Sequence, residues 1–142
     1  MRILLTAIGL FVGVVVLGAL AIDEGEVVTL TTQDAHGRSQ ETQLWIVDLE
    51  GTSYLRSATP ETEWLDRLRA DPRGQLRRGE EEQPIQAVPM DGGKLRVQVN
   101  RAMAAKYGVA DRLYSRLYDR SRSVPVRILP VSSDETAASN VH

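Results

Sequence analysis

The sequence predicts an α+β domain built on antiparallel strands with flanking helices, preceded by one N-terminal transmembrane helix. Three observations predict it: an apolar run at 3–22, β-forming runs separated by turns over 27–57, and helical patterns at 59–71 and 94–118. A chain of 142 residues has room for one domain of about 100–150 residues. The expected organisation is a transmembrane anchor (1–25), a folded domain (26–131) and a disordered polar tail (132–142).

Composition excludes several kinds of site. The chain has no Cys, so it has neither a disulfide framework nor a thiolate nucleophile or metal ligand. It has only two histidines, His36 and His142, which makes a histidine metal centre or a Ser/His/Asp triad a poor expectation. Glu80–Glu82 lack a defined ligand spacing and read as a solvated loop. No metal site is therefore expected.

The N-terminal run has the length of a membrane span. Twenty residues at 1.5 Å per residue cross a hydrocarbon layer of roughly 30 Å. The alternative is a cleaved signal peptide, since Ala19–Ala21 offers a small-x-small site, but the run exceeds the roughly 7–15 residues of a signal core. Arg2 precedes the run and acidic residues follow it, which predicts a single-pass protein of the inner (cytoplasmic) membrane with its domain on the extracytoplasmic side.

Membrane lipid is thus an expected partner. Gly9 and Gly13 are spaced as in helix pairs that pack closely, which allows a partner transmembrane helix or a membrane complex. The alternative is that these glycines do not indicate a helix partner, because glycine is common in membrane spans.

The first strands form a predicted meander. Val27–Thr32 and Gln43–Asp48 are rich in β-formers, and the turn residues 34–38 between them predict a hairpin. A second turn at 48–51 leads to a third strand, Ser53–Ser57.

The junction after the third strand combines a helix start with polar residues. Thr59 suits a helix N-cap and Pro60 the first helical position, while Trp64, Leu65 and Leu68 share one face of a helix that ends before Pro72. Arg56, Ser57 and Thr59 could hold an anion there, because free N–H groups and the helix dipole favour negative charge. The alternative is that Thr59 caps the helix, Ser57 ends the strand and Arg56 points into water.

The second half continues with a hairpin, two helices and a last strand. The expected strands are Gln75–Arg78, Ile85–Met90 and Val124–Val131. The helices lie on either side of Gly108, and the second has an apolar stripe of Val109, Leu113 and Leu117 beside a basic stripe of Arg112, Arg116 and Arg120.

This half is basic, with nine Lys or Arg and two Asp between Lys94 and Arg127. Such arginines could bind phosphates, anionic lipid headgroups or an acidic protein surface, and the alternative is a solvated helix face. Nucleic acid is not an expected partner, because no known binding module is present and the chain carries a predicted span.

Four segments carry a family resemblance: TLTTQDAHGRSQETQLWIVD, YLRSATPETEWLDRLRADP, AAKYGVADRLYSRL and RSVPVRIL. Together they resemble the split β-barrel of the flavin- and deazaflavin-dependent nitroreductases and quinone reductases, itself similar to pyridoxamine phosphate oxidases. The Gly37-Arg38 turn, Ser57, Trp64 and Asp71-Pro72 match the family pattern.

The resemblance implies an antiparallel six-stranded split β-barrel that holds FMN or a deazaflavin and reduces a quinone or nitro-type acceptor. Trp64 would pack against the ring of the cofactor, and the polar groups of the cofactor would be held by Arg38, Arg56, Ser57 and Thr59. It also implies a homodimer with the site at the subunit boundary. Proton donors could come from Tyr54, Tyr107 and Tyr114.

A non-catalytic function is the alternative. The Ser57 turn lacks the paired glycines that let a backbone approach a cofactor, and Glu61 and Glu63 would repel a phosphate. On this alternative the barrel binds no cofactor and serves as an accessory or binding subunit of a membrane complex.

Overall fold

Residues 25–131 are the part of the chain that the computed structural model describes, and they contain six strands, three α-helices and one 3₁₀ helix. In order these are β1 Val27–Gln33, β2 Ser39–Leu49, β3 Thr52–Ser57, α1 Glu63–Ala70, β4 Arg73–Arg78, β5 Glu81–Pro89, α2 Gly93–Tyr107, α3 Val109–Leu117, the 3₁₀ helix Arg120–Arg122 and β6 Val124–Pro130.

The predicted membrane span and polar tail lie outside the described residues, so the anchor, its orientation and the tail stay predictions. None of the helices within 25–131 is long and apolar enough to cross a membrane.

The strands close into a barrel in the order β1-β2-β3-β6-β5-β4, with β4 pairing back onto β1 and all neighbours antiparallel. This confirms the predicted six-stranded antiparallel barrel. The closing pair needs a glycine, because a Cβ on Gly74 would lie 2.9 Å from the backbone oxygen of Thr31. A side chain at this position would force the two strands apart.

Two apolar cores follow from the alternation of side chains along the strands. On β2, Leu44 and Ile46 face the barrel interior, while Trp45 and Val47 face outward. The interior is filled by residues of the strands and by the buried face of α1, which confirms the predicted face of Trp64, Leu65 and Leu68. The outer core lies between the barrel wall and α2, and its buried members are Val47, Tyr54, Val99, Met103 and Tyr107.

The barrel is split between β2 and β3. These two strands pair only from Ile46, opposite Leu55, to Leu49, opposite Thr52. Before Ile46, the residues of β2 pair only with β1. After Leu55, Arg56 and Ser57 of β3 pair only with β6. The two strands therefore diverge, and we call the space between Thr42–Trp45 and residues 56–58 the split.

Helix α1 begins three residues later than the capping pattern predicts, so the assignment of Thr59 as N-cap and Pro60 as the first helical residue is wrong. The N-cap is Thr62, in extended conformation. The reason is a pair of hydrogen bonds from the end of β3: the Ser57 hydroxyl donates to the Thr59 carbonyl oxygen at 2.8 Å and lies 2.7 Å from Thr62 Oγ1. These bonds hold residues 58–62 as a loop.

Helix α3 leaves its apolar stripe outside the core. Val109, Leu113 and Leu117 are exposed, Leu117 to 78%, whereas Ala110 and Asp111 are buried. The predicted apolar stripe therefore does not pack on the barrel. Arg120 also leaves the predicted basic stripe, because it lies in the 3₁₀ helix and pairs with Asp111.

Arg78 ties the end of β4 to two other parts of the barrel. Its guanidinium lies 2.8 Å from the carboxylates of both Glu26, which precedes β1, and Asp48 of β2. Lys106 of α2 also contacts Glu26, at 2.7 Å. The hydrogen bond from Arg78 lowers the pKa of Asp48 to about 2, and Arg78 followed by Lys106 lowers the pKa of Glu26.

Replacing this arginine should change how stability depends on pH. A carboxyl group with a lowered pKa contributes stability above its unfolded pKa of about 4 and loses it as the pH falls through the folded value. Arg78→Gln should therefore lower the melting temperature at neutral pH, and the difference from the wild type should shrink between about pH 5 and pH 2. Arg77→Gln, which removes a neighbouring exposed charge on the same strand, is the control. A difference that stays constant down to pH 2 would contradict the assignment.

Candidate functional site

A cavity of about 420 Å³ occupies the split. It lies between the unpaired edge of β2, the end of β3 with its following loop, and helices α1 and α3. Its lining residues are Val27, Thr42, Gln43, Leu44, Trp45, Arg56, Ser57, Ala58, Thr62, Trp64, Tyr114 and Tyr118. Ligand cavities in proteins are typically about 300–1,000 Å³, so this one has the size of a small-molecule site.

Aromatic rings form much of the wall. Trp45 stacks on Tyr107, with 4.4 Å between ring centroids and 8° between planes, and lies 5.7 Å from the ring of Tyr114. Tyr114 is in turn 4.9 Å from Tyr118. Trp64 reaches the same cavity from α1. Burial raises the pKa of the Tyr114 phenol, so its hydroxyl stays protonated at neutral pH.

Arg56 lies at the cavity wall as a buried, paired cation. Its Nη2 donates to Asp111 Oδ1 at 2.8 Å and its Nη1 donates to Asn100 Oδ1 at 3.2 Å. Its guanidinium also lies 4.5 Å from the ring centroid of Tyr114, in cation–π contact. Because the Arg56 side chain is only 3% exposed, the interpretation that it points into water is wrong.

Asp111 is the acidic residue on which this arrangement depends. Its side chain has no exposed surface, and its two carboxylate oxygens bind Arg56 and Arg120. Asn100 extends the network, because its amide donates to the Arg120 carbonyl oxygen at 3.0 Å. We did not predict either residue as part of the site. A signal was present, since Asp111 is the one acidic residue between Lys94 and Tyr118.

The structure brings together three of the five predicted cofactor-binding residues: Arg56, Ser57 and Trp64 all line the cavity. Thr59 does not line it and contributes only its carbonyl oxygen, as the acceptor for Ser57. Arg38 lies away from the cavity in the turn after β1, where it pairs with Asp34 at 3.0 Å and leaves 70% of its side chain exposed.

The predicted proton donors and the predicted repelling carboxylates do not all lie at the cavity. Of the three tyrosines considered as proton donors, Tyr114 lines the cavity, Tyr54 lies in the outer core, and the Tyr107 hydroxyl donates to the Glu26 carbonyl oxygen at 2.7 Å. The acidic residues expected to repel a phosphate do not line the cavity, and Glu61 pairs with Arg122 at 2.6 Å.

The donor set of the cavity fits a flat ring better than a phosphate. Aromatic faces are available for stacking, and hydroxyl groups of Thr42, Ser57 and Thr62 can bond polar atoms at the edge of a ring. Since Thr42–Trp45 pair with β1 alone, backbone N–H and C=O groups on the other edge of β2 can also reach a ligand. Arg56 is the one cationic residue of the lining, and it is already paired with Asp111.

A family model described as "Uncharacterized protein conserved in bacteria (DUF2255)" matches residues 20–128. The chain belongs to the DUF2255 family. The match spans the whole barrel apart from the end of β6. No curated protein sequence matches the chain.

Solved structures with the same fold include a protein from Listeria innocua described provisionally as a pyridoxamine 5′-phosphate oxidase, with TM-score 0.59 and 15% identity over 81% of this chain and 92% of that one. An F420-H2 dependent reductase, FDR-A, has TM-score 0.54 and 21% identity over 72% and 92%. A third structure, described as a domain-swapped dimer, has TM-score 0.56 and 21% identity over 72% and 78%. At these identities the likeness establishes the fold alone: this DUF2255 chain has the split-barrel fold of these structures.

Removing the charge of Asp111 should destabilise the protein strongly, because it leaves Arg56 buried without a counter-ion. Breaking a buried ion pair by removing one partner costs about 3–5 kcal/mol. Asp111→Asn should lower the free energy of unfolding by this amount, measured by urea denaturation of the full chain. Asp66→Asn, at an exposed position on α1, is the control and should change it by less than about 0.5 kcal/mol. A loss of less than about 1 kcal/mol for Asp111→Asn would contradict the role of the pair.

Proposed function

We propose that the cavity in the split binds the ring of a flavin or deazaflavin, and that the protein is an oxidoreductase acting on a quinone or nitro-type acceptor. The observation that carries the proposal is the combination of Trp45, Trp64 and Tyr114 around one cavity with hydroxyl groups at its edge. The fold likeness to an F420-H2 dependent reductase supports it.

The protein's part in such a reaction is to bind and orient. Aromatic rings stack on a flat ligand, while the hydroxyl oxygens of Ser57 and Thr62, whose protons are used within the loop, can accept hydrogen bonds from its edge. A bound flavin or deazaflavin supplies hydride or electron transfer. Tyr114 places a protonated phenol at the cavity wall, where it can donate a hydrogen bond to a ligand; burial raises its pKa and so keeps the proton on the phenol.

One observation favours a second function. Arg56 is paired with Asp111, so the cavity lining offers no unpaired cation to a phosphate, and a ligand that carries no phosphate would fit the cavity as well. On this second proposal the barrel is a non-catalytic binding or accessory subunit.

Filling the cavity should weaken binding of the ring. Ala58→Trp places an indole among the lining residues, whereas Ala70→Trp, on the exposed end of α1, places the same side chain outside the cavity. We expect FMN or F420 to bind the wild-type full chain in mild detergent, and Ala58→Trp to weaken binding at least about tenfold, or about 1.4 kcal/mol. Titration followed by cofactor fluorescence measures the affinity, and the visible spectrum shows any cofactor retained during purification.

Ala70→Trp should bind like the wild type. A colourless wild-type protein that binds neither cofactor would contradict the oxidoreductase proposal and favour the non-catalytic one. Equal loss of binding in both variants would place the cofactor somewhere other than the split.

We also propose that the protein is a homodimer in which α3 contacts a second copy. The exposed apolar residues Val109, Leu113 and Leu117 form a continuous stripe on this helix. The solved structure described as a domain-swapped dimer shows that a barrel of this fold pairs with a copy of itself. The stripe adjoins Tyr114 and Tyr118, so the dimer contact would lie beside the split.

Introducing charge into the stripe should separate the copies, because it buries an unpaired carboxylate in the contact. Leu117→Glu should convert a dimer to a monomer, measured as the protein mass from light scattering in detergent. Leu129→Glu, at an exposed position on β6, should leave the mass unchanged. A monomeric wild type would contradict the proposal, as would a Leu117→Glu variant that remains dimeric.

A further inference from the structure

An open groove of about 540 Å³ runs along α2, on a part of the surface separate from the split. Its lining residues are Gly93, Arg96, Val97, Asn100, Arg101, Ala104, Arg120 and Ser121. The six residues from α2 are spaced i, i+3, i+4, i+7, i+8 and i+11 and so form one face of the helix. They extend from its first residue over 11 steps of 1.5 Å, or about 16 Å.

Three arginines line the groove and none of the lining residues is acidic. Arg101 is exposed, and its side chain makes no hydrogen bond or ion pair within residues 25–131. Arg96 uses its Nε to donate to the Ser123 carbonyl oxygen at 2.7 Å. Arg120 pairs with Asp111 through Nη2, while its Nε is buried without a hydrogen-bond partner in the described structure.

The start of α2 adds further donors at the end of the groove. Its N-cap is Gly92, which has no side chain to cap the helix, and its first turn contains no acidic residue. The first N–H groups of a helix have no partner within it, and the helix dipole places partial positive charge there. A Cβ on Gly93 would meet nothing within 4 Å, so a ligand can approach this backbone closely.

Of the carboxylates near the groove, Asp111 and Asp119 are already engaged, whereas Asp91, which precedes the N-cap Gly92 and does not line the groove, is exposed and makes no hydrogen bond or ion pair within residues 25–131. Asp111 carries one negative charge and shares it between Arg56 and Arg120, so it pairs with one of the three groove arginines and leaves Arg96 and Arg101 without a carboxylate partner. Asp119 accepts hydrogen bonds from the backbone and hydroxyl of Ser121, which lower its pKa and hold it on the 3₁₀ helix. The groove therefore has a positive excess with free donors.

We propose that this groove binds a phosphate-bearing ligand, with Arg96 and Arg101 as its principal contacts and the N–H groups at the start of α2 beside them. Guanidinium groups bind phosphate oxygens in paired hydrogen bonds, and helix N-termini bind anions through backbone N–H groups. The basic residues of this half of the sequence thus lie on two separate surfaces of the folded chain. Arg96, Arg101 and Arg120 line the groove, whereas Arg112 and Arg116 are exposed on α3. The proposal is independent of whether a cofactor binds in the split.

The experiment compares two double variants of equal charge in the full chain in mild detergent. Arg96→Gln with Arg101→Gln removes two charges from the groove, and Arg112→Gln with Arg116→Gln removes two from α3. Titration calorimetry with inorganic pyrophosphate at low ionic strength measures binding of a free phosphate. Co-sedimentation with phosphatidylglycerol vesicles, against phosphatidylcholine vesicles, measures binding of a lipid headgroup. The single variant Arg101→Gln, at an exposed side chain, guards against loss through misfolding.

The groove variant should lose at least about tenfold in affinity for one of these two probes, the single variant less, and the α3 variant no more than about twofold. Loss with pyrophosphate identifies a free phosphate ligand, and loss with phosphatidylglycerol vesicles alone identifies a lipid headgroup. Equal losses in the groove and α3 variants would show non-specific charge attraction and overturn the proposal. A wild type that binds neither probe would also overturn it.

Discussion

One fully buried carboxylate joins α3 to the end of β3 and to the 3₁₀ helix. Asp111 binds Arg56 at the wall of the split and Arg120 at the edge of the α2 groove. A buried charge is stable only when it is paired, so the pair fixes which face of α3 turns inward. That orientation places Tyr114 and Tyr118 on the cavity and leaves the apolar stripe of α3 exposed.

The divergence of β2 and β3 supplies the other constraint. Most strand edges in the barrel are paired, which removes the backbone groups that could bind a ligand. Between Thr42–Trp45 and residues 56–58 the pairing stops, and the cavity opens at this interruption. The structure thus combines a closed, rigid barrel with one opening whose walls come from elements fixed by the two apolar cores.

Local patterns predicted the strands and helices because their signals are short in range. Alternation along β2, the turn residues after β1 and the buried face of α1 are all visible in neighbouring residues. The site was only partly predictable. Arg56, Ser57 and Trp64 lie at a recognisable strand–helix junction, but Asp111 is 55 positions from Arg56 and joins it only through the fold. For the same reason, periodicity predicted an apolar stripe on α3 but could not indicate that this stripe is exposed, because the ion pair of Asp111 with Arg56 joins residues that are distant in the sequence. Arg38, which matched a family pattern, pairs locally with Asp34 instead.

The most direct test is a crystal structure of the full chain grown with FMN or F420. The account predicts electron density for the fused ring in the split, between β2 and the loop after β3, with Trp64 and Tyr114 in contact with it and the ion pair of Asp111 and Arg56 intact. Ring density at any other place, or a split filled by the protein's own side chains, would contradict it.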